Sequence, residues 1–284
     1  MTELHFLGVP FNSDGTPPEA EHPPRHLREA GLLDRLSSSR SIRDCGDLPI
    51  PAADGVRDSG TGVLNWSSWQ AVTGCVAQSI GEILAADGWP LVVGGDCSIL
   101  VGIMAGAAQV KAPCGLFFVD GHGDFHTPAT SPTGEAADME LAALTGRAPS
   151  PAGTAAGVVL NDEDVVVFGI RERDGIDAAP IRVFDFARLT RGDLVTAVQE
   201  AATLISDLPV WLHFDVDVID PALMPVIFPA GVGLTFDQTA TVLGALLGTG
   251  RVIGMSVACF HPNLDHTGTA TTGLIDLLTD VLAN

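Results

Sequence analysis

The sequence predicts an α/β protein, a three-layer α/β/α sandwich on a mostly parallel sheet. Two observations predict it. Short apolar runs of strand length alternate with Ala- and Leu-rich segments of helical spacing along the whole chain. That alternation builds a parallel sheet covered by helices on both faces. Clusters rich in carboxylates or glycine directly follow several of the strand-like runs, and such sheets hold their sites beyond the C-terminal strand ends.

Residues 4–10 read as the first strand, ending in a turn, and 23–33 as a helix whose prolines fall in the first turn. Residues 69–86 carry Val72, Val76, Ile80, Ile83 and Leu84 at helical spacing. A buried strand at 90–93 leads into Gly94-Gly95-Asp96-Cys97-Ser98. A helix over 99–110, a strand at 116–119, a short helix at 139–145 and a strand at 165–169 follow. The remainder reads as strand 182–184, helix 194–206, strand 210–214, helix 236–247, strand 252–257 and helix 272–282. The Gly-, Ala- and Pro-rich stretch 146–158 reads as a loop or insertion, too apolar for a linker. With no internal repeat, one domain is expected over residues 1–284.

Hydrophobic residues make up 46% of the 284-residue chain and charged ones 17%, a balance that folds around a large core. The formal net charge of -21 disfavours nucleic acid and anionic membranes as partners. Five cysteines without clustered spacing give neither a disulfide framework nor a paired zinc motif, and fit a reducing compartment. No N-terminal leader and no apolar run of membrane length are evident, so a cytoplasmic location is expected.

Two acidic clusters concentrate the chemistry. Asp120-Gly121-His122-Gly123-Asp124 follows the run at 115–119, and Asp215-Val216-Asp217-Val218-Ile219-Asp220-Pro221 follows the run at 210–214. Side chains two apart on extended backbone point the same way, so Asp120, His122 and Asp124 can converge, as can Asp215 and Asp217. Carboxylates gathered at two strand ends stay ionised only if cations neutralise them. Oxygen donors with one imidazole suit a hard divalent ion such as manganese, and bridging carboxylates suit a pair of ions.

These segments resemble the ureohydrolase (arginase/agmatinase) family over nearly the whole chain. Asp120–Asp124 is similar to the family's Asp-Ala-His-x-Asp segment, and residues 213–221 to its Ser-x-Asp-x-Asp-x-x-Asp-Pro signature. Residues 94–98 are similar to its Gly-Gly-Asp-His-Ser. Residues 24–32, Gly231-Val232-Gly233-Leu234-Thr235 and His261-Pro262-Asn263-Leu264-Asp265 add to the likeness. The resemblance implies an eight-stranded, mostly parallel arginase-like sheet and two divalent ions, manganese first. It implies that Asp120 and Asp215 bridge the ions, that His122 and Asp217 bind one, and that Asp124 and residue 97 bind the other. Asp124 would also accept a hydrogen bond from the bridging hydroxide, which attacks a guanidinium-type carbon of a small guanidino or amidino substrate. Family members often form trimers or hexamers, which leaves a homo-oligomer open.

The chain departs from the family pattern at three places. The histidine ligand is replaced by Cys97. A thiolate there adds a negative charge to four carboxylates and shifts preference toward zinc or iron; alternatively, Cys97 is a small buried core residue. This exchange, with the adjoining Asp-Gly-His-Gly-Asp-Phe-x-Thr-Pro segment, resembles the N-hydroxyarginine-hydrolysing branch of cycloserine biosynthesis. The His-Gly-x-Pro segment reads Ala137-Asp138-Met139-Glu140, so the family's proton-shuttle histidine is missing. Asp138, Glu135 and His126 are the candidates to take over as acid or base, or the two carboxylates are solvated loop residues. The guanidinium-binding glutamate is replaced by Cys259 in Cys259-Phe260-His261-Pro262, which argues against plain arginine or agmatine. His126 and Asp174 fall where family members contact substrate, and His261 reads as a pocket wall or a loop residue. Besides hydrolysis of an amidine, guanidine or N-hydroxyguanidine, two readings stay open. One is a metal-binding member without catalysis. The other is a mononuclear zinc deacylase, disfavoured because the chain has no tyrosine.

Overall fold

The computed structural model describes residues 2–18, 22–152, 159–205 and 207–283. Ser206 of the expected helix and residues 153–158 of the expected loop lie outside them.

Eight strands form one sheet: β1 (Leu4–Val9), β2 (Ile42–Asp47), β3 (Trp89–Gly94), β4 (Gly115–Val119), β5 (Val165–Phe168), β6 (Arg182–Phe184), β7 (Val210–Asp215) and β8 (Val252–Ala258). Their order is β2-β1-β3-β8-β7-β4-β5-β6. Every pairing between them is parallel, so the sheet is fully rather than mostly parallel. β1, β4, β5 and β7 are buried at every residue. Strands covered on both faces read as continuous apolar runs, which is why the sequence announces them. β2 escapes that reading. It is an edge strand, Ile-Arg-Asp-Cys-Gly-Asp, and mostly exposed. Its Asp44 and Asp47 are paired with Arg28, and such charges also protect an open edge.

Alternate strand residues feed two cores. Leu91, Phe117, Val119, Leu212 and Phe214 pack on one side with residues of α1 (Pro23–Glu29), α2 (Leu32–Ser37), α7 (Leu194–Ala202), α8 (Phe236–Leu247) and α9 (Thr269–Leu282). Val92, Leu116, Phe118 and Trp211 pack on the other with α3 (Trp66–Ala85), α4 (Leu100–Lys111) and α5 (Glu140–Leu144). The three layers follow. The helix expected over 23–33 is instead α1 and α2, separated where Gly31 adopts φ 90, a conformation open chiefly to glycine. α3 and α9 each start three residues earlier than periodicity suggested, and the short α6 (Phe186–Thr190) was not foreseen. Among the described residues, no helix is long and apolar enough to cross a membrane.

The strand order decides where the site lies. The chain leaves β3 through α4 and enters β4, and β7 and β8 later fill the gap between them. The loops after β3, β8, β7 and β4 therefore emerge side by side at the switch in winding direction.

Candidate metal centre

The same local device ends two of the central strands. After β4, Asp120 Oδ1 accepts the backbone N–H of His122 at 2.7 Å. After β7, Asp215 Oδ1 accepts that of Asp217 at 2.7 Å. Each turn spends one carboxylate oxygen on local structure and leaves the other, Oδ2, facing Cys97 Sγ, at 4.0 Å for Asp120 and 2.7 Å for Asp215. Cys97 is presented by a third turn, in which Asp96 caps the one-turn helix Cys97–Ile99 through the N–H of Ser98. The fourth loop brings Cys259 Sγ within 3.6 Å of Cys97 Sγ. Cys259 has φ 60 and its N–H donates to Gly95 O at 2.7 Å, joining the loops after β8 and β3. A non-glycine residue held in the left-handed region costs on the order of 1 kcal/mol or more, offset here by that contact.

His122 Nδ1 lies 2.7 Å from Asp217 Oδ2, and Gly121 N–H donates to Asp217 Oδ1 at 2.8 Å. The two ionisations support each other. Burial opposes the charge on His122, yet Asp217 raises its pKa to about 9. Burial likewise opposes the charge on Asp217, but His122, the Gly121 N–H and Arg171 hold it below the usual carboxylate range. The other acids are pushed the opposite way. Burial, then Asp124, Asp215 and Asp217, raises Asp120 well above its ordinary value. Burial followed by Asp217 raises Asp215 to about 7, and burial followed by Glu140 raises Asp124. A buried set of acids resisting ionisation in this way calls for added cationic charge.

The donor set fits divalent ions. Asp120, His122 and Asp217 bring ligand atoms within 4.8 Å of one another, and so do Cys97, Asp124 and Glu140, and Cys97, Asp215 and Cys259. The six side chains expected as ligands thus converge, with His122 and Asp217 toward one end and Cys97 and Asp124 toward the other. The fit also shows in Glu140, whose carboxylate oxygens are both buried without a hydrogen-bond partner.

Four residues of the site were not picked out in the sequence. His213, fully buried, places Nε2 3.2 Å from Cys97 Sγ and Nδ1 2.8 Å from Ser256 Oγ. Ser256 Oγ also accepts from Trp211 Nε1 at 3.0 Å. Burial drops the His213 pKa to about 3, so the ring is neutral and carries one N–H. With Ser256 donating to Nδ1, that N–H faces the sulfur. The available signal was a polar residue inside an apolar strand. Glu140 gives the same signal, a lone charge opening the otherwise apolar Glu-Leu-Ala-Ala-Leu helix. Arg171 donates to the carbonyls of Ala230, Val218 and Asp217 at 2.9, 2.9 and 2.5 Å, pinning the turn that carries Asp217.

Above the buried acids lies a cleft of about 380 Å³. His122, Asp124, Asp215 and Asp217 line it, together with the four expected substrate contacts His126, Asp174, Cys259 and His261. Asp120 and Cys97 do not reach it, being 0% and 1% exposed. Asp174 is held from two sides as well as lining the cleft. Its Oδ2 accepts the N–H of Gly123 and Asp124 at 2.9 and 3.2 Å, and its Oδ1 lies 3.4 Å from His126 Nε2. Glu135 and Asp138, the two acids that could replace the proton shuttle, both line the cleft, and burial raises both. Asp138 Oδ2 accepts from Ser131 and Thr133 at 2.6 and 3.1 Å. Burial followed by Asp96 raises Glu135 to about 7.

The model of the Arginase family matches residues 2–282. An arginase of Bacillus caldovelox is 27% identical, with 98% of this chain and 97% of that protein aligned. Arginase-1 of Homo sapiens is 27% identical over 96% of this chain and 89% of its own. Among solved structures, the B. caldovelox arginase superposes with a TM-score of 0.89 at 25% identity, covering 100% of this chain and 99% of that one. The formimidoylglutamase of Bacillus subtilis shares the fold, with a TM-score of 0.76 at 18% identity and coverage of 99% and 86%.

Proposed function

Because the chain belongs to the arginase family, we propose that it is a metal-dependent hydrolase of a non-peptide C–N bond in a small guanidino or amidino compound. The observation that carries this reading is the convergence of Asp120, His122, Asp124, Asp215, Asp217 and Cys97 at the ends of β3, β7 and β4 beneath one cleft. Asp120, His122 and Asp217 would hold one divalent ion, and Cys97 and Asp124 the other, with Asp215 between them. Such ions, manganese or, given the thiolate, zinc or iron, make a bound water nucleophilic near neutral pH.

The residues of the chain supply the remaining roles. Asp124 is the acceptor for the proton of the attacking water. Glu135, raised to about 7, can hold a proton at neutral pH and give it to the leaving nitrogen. His126, on the cleft wall, is the other candidate for that step.

Substrate selection differs from that of a plain arginine hydrolase. The cleft presents the thiol of Cys259 where the family pattern has a guanidinium-binding glutamate. A neutral or weakly basic group therefore suits it better, as in an N-hydroxyguanidine. The Cys97 exchange points the same way, toward the N-hydroxyarginine-hydrolysing branch.

The test is a screen of chelator-stripped protein, reloaded with manganese or zinc, against guanidino and N-hydroxyguanidino acids. Urea and ammonia are both measured. Metal-dependent urea release, fastest on an N-hydroxyguanidine, is expected. No release from any member in a metal-replete sample overturns the reading, as does acetate release from acetylated amines alone.

A further inference from the structure

Glu140 is the first residue of α5, is 0% exposed, and is followed by four buried apolar residues. Burying a carboxylate there is costly unless something pairs with it. Neither carboxylate oxygen has a hydrogen-bond partner. Burial, then the charges of Asp120 and Asp96, resist its ionisation, against the contact with Asp124, and no cationic side chain among the described residues acts on it. Its ligand atom nevertheless lies in a group with Cys97 Sγ and an Asp124 oxygen, all within 4.8 Å of one another. A buried acid that faces a thiol and a second acid, with no cationic partner, has the surroundings of a cation ligand. It stands where the family's His-Gly-x-Pro pattern has its proline, so the resemblance assigns it no role.

We propose that Glu140 is a protein ligand of the ion on the Cys97 side, completing a Cys97–Asp124–Glu140 set. The inference shares with the proposed function only the presence of a metal centre. One thiolate and two carboxylates form a three-ligand set with a soft member, which suits zinc or ferrous iron better than manganese. The added anion also separates the two ends of the centre. The thiolate end suits a borderline-soft ion such as zinc or cobalt(II), which should fill it first, while the His122–Asp217 end, with its oxygen and imidazole donors, is left for the second.

The experiment uses the full chain, stripped with chelator and titrated with cobalt(II) and zinc(II). Binding is followed by calorimetry, metal content after dialysis, and the absorption of the cobalt form. The wild type is expected to show a thiolate-to-cobalt charge-transfer band that saturates with the first, tight equivalent. Glu140→Gln keeps the size and polarity but removes the anion. It is expected to weaken that equivalent at least about tenfold and change the visible cobalt bands, leaving the second equivalent in place. His122→Ala is expected to do the reverse. Unchanged affinity and spectrum in Glu140→Gln would overturn the assignment and make Glu140 a protonated neighbour of Asp124. Should that variant not fold, Glu140→Asp keeps the charge with a shorter reach. Weakened binding with the thiolate band retained then supports the ligand role, and unchanged affinity overturns it. These readouts do not depend on turnover, so a failed activity screen leaves them valid, and loss of the ligand role leaves the proposed hydrolysis standing.

Discussion

Asp174 Oδ2 accepts the backbone N–H of Asp124 at 3.2 Å, and that of Gly123 at 2.9 Å, so one carboxylate holds the segment that carries a proposed metal ligand. Asp124 itself sits at φ 43, and Asp174 at φ 46. Two residues in strained conformations, tied by these bonds, are a pre-set arrangement rather than a pliable loop.

The Asp174 carboxylate therefore acts first as a support. Asp174→Ala is expected to lower metal affinity about 10- to 100-fold, the usual range for a residue that orients a ligand. Asp174→Asn retains one acceptor oxygen for the two N–H groups and should keep most of that affinity. A role in holding a substrate ammonium gives a different pattern. Asn would then raise KM sharply while metal binding stayed normal. Metal titration and steady-state kinetics on both variants separate the two.

His213 and Cys97 form a second linked pair, 3.2 Å apart. The family pattern has a serine at 213 and a histidine at 97, so imidazole and small side chain have changed places. Cys97→His alone puts a larger ring beside His213 and Cys259 in a fully packed site, and overpacking of that type costs about 1–3 kcal/mol. The single variant should gain manganese occupancy but lose thermal stability. The double variant Cys97→His/His213→Ser should gain manganese occupancy with more of the stability restored. Melting curves and manganese content on the three proteins test the coupling. Additive losses would show that the two positions are independent, and unchanged manganese occupancy would show that residue 97 is not a ligand.

What the sequence made legible follows from the same contacts. β4 and β7 are buried on both faces, so their apolar runs, and the acids just beyond them, stand out in one dimension. β2 was hidden because an edge strand needs no apolar run. His213 and Glu140 were hidden for a different reason. Each is a polar residue within an apolar run, and its meaning comes from a partner distant along the chain, Cys97 in both cases. Spacing rules relate residues along one strand or helix, while these pairs are set by the order of strands in the sheet.

Removing metal should make stability depend on pH in a defined direction. Without ions, Asp215 is raised from 3.8 to about 7 by burial and then Asp217, and His122 is raised from 6.5 to about 9 with Asp217 as the cause. A group whose folded pKa is raised stabilises the fold below its unfolded value and loses that contribution as pH rises through the folded one. For Asp215 the loss runs from about pH 4 to 7, and for His122 from about 6.5 to 9. Both changes run the same way; His213, lowered from 6.5 to about 3, opposes them only up to about pH 6.5, so the metal-free protein weakens chiefly from there toward pH 8. Ions act in the opposite sense, because they bind the deprotonated ligands and their affinity grows with pH. The gap in Tm between loaded and chelated protein should therefore widen by roughly 5 °C or more between about pH 5 and 8. Melting scans with and without chelator across that range measure it. A gap that stays constant would mean that the buried acids are not the groups the metal neutralises.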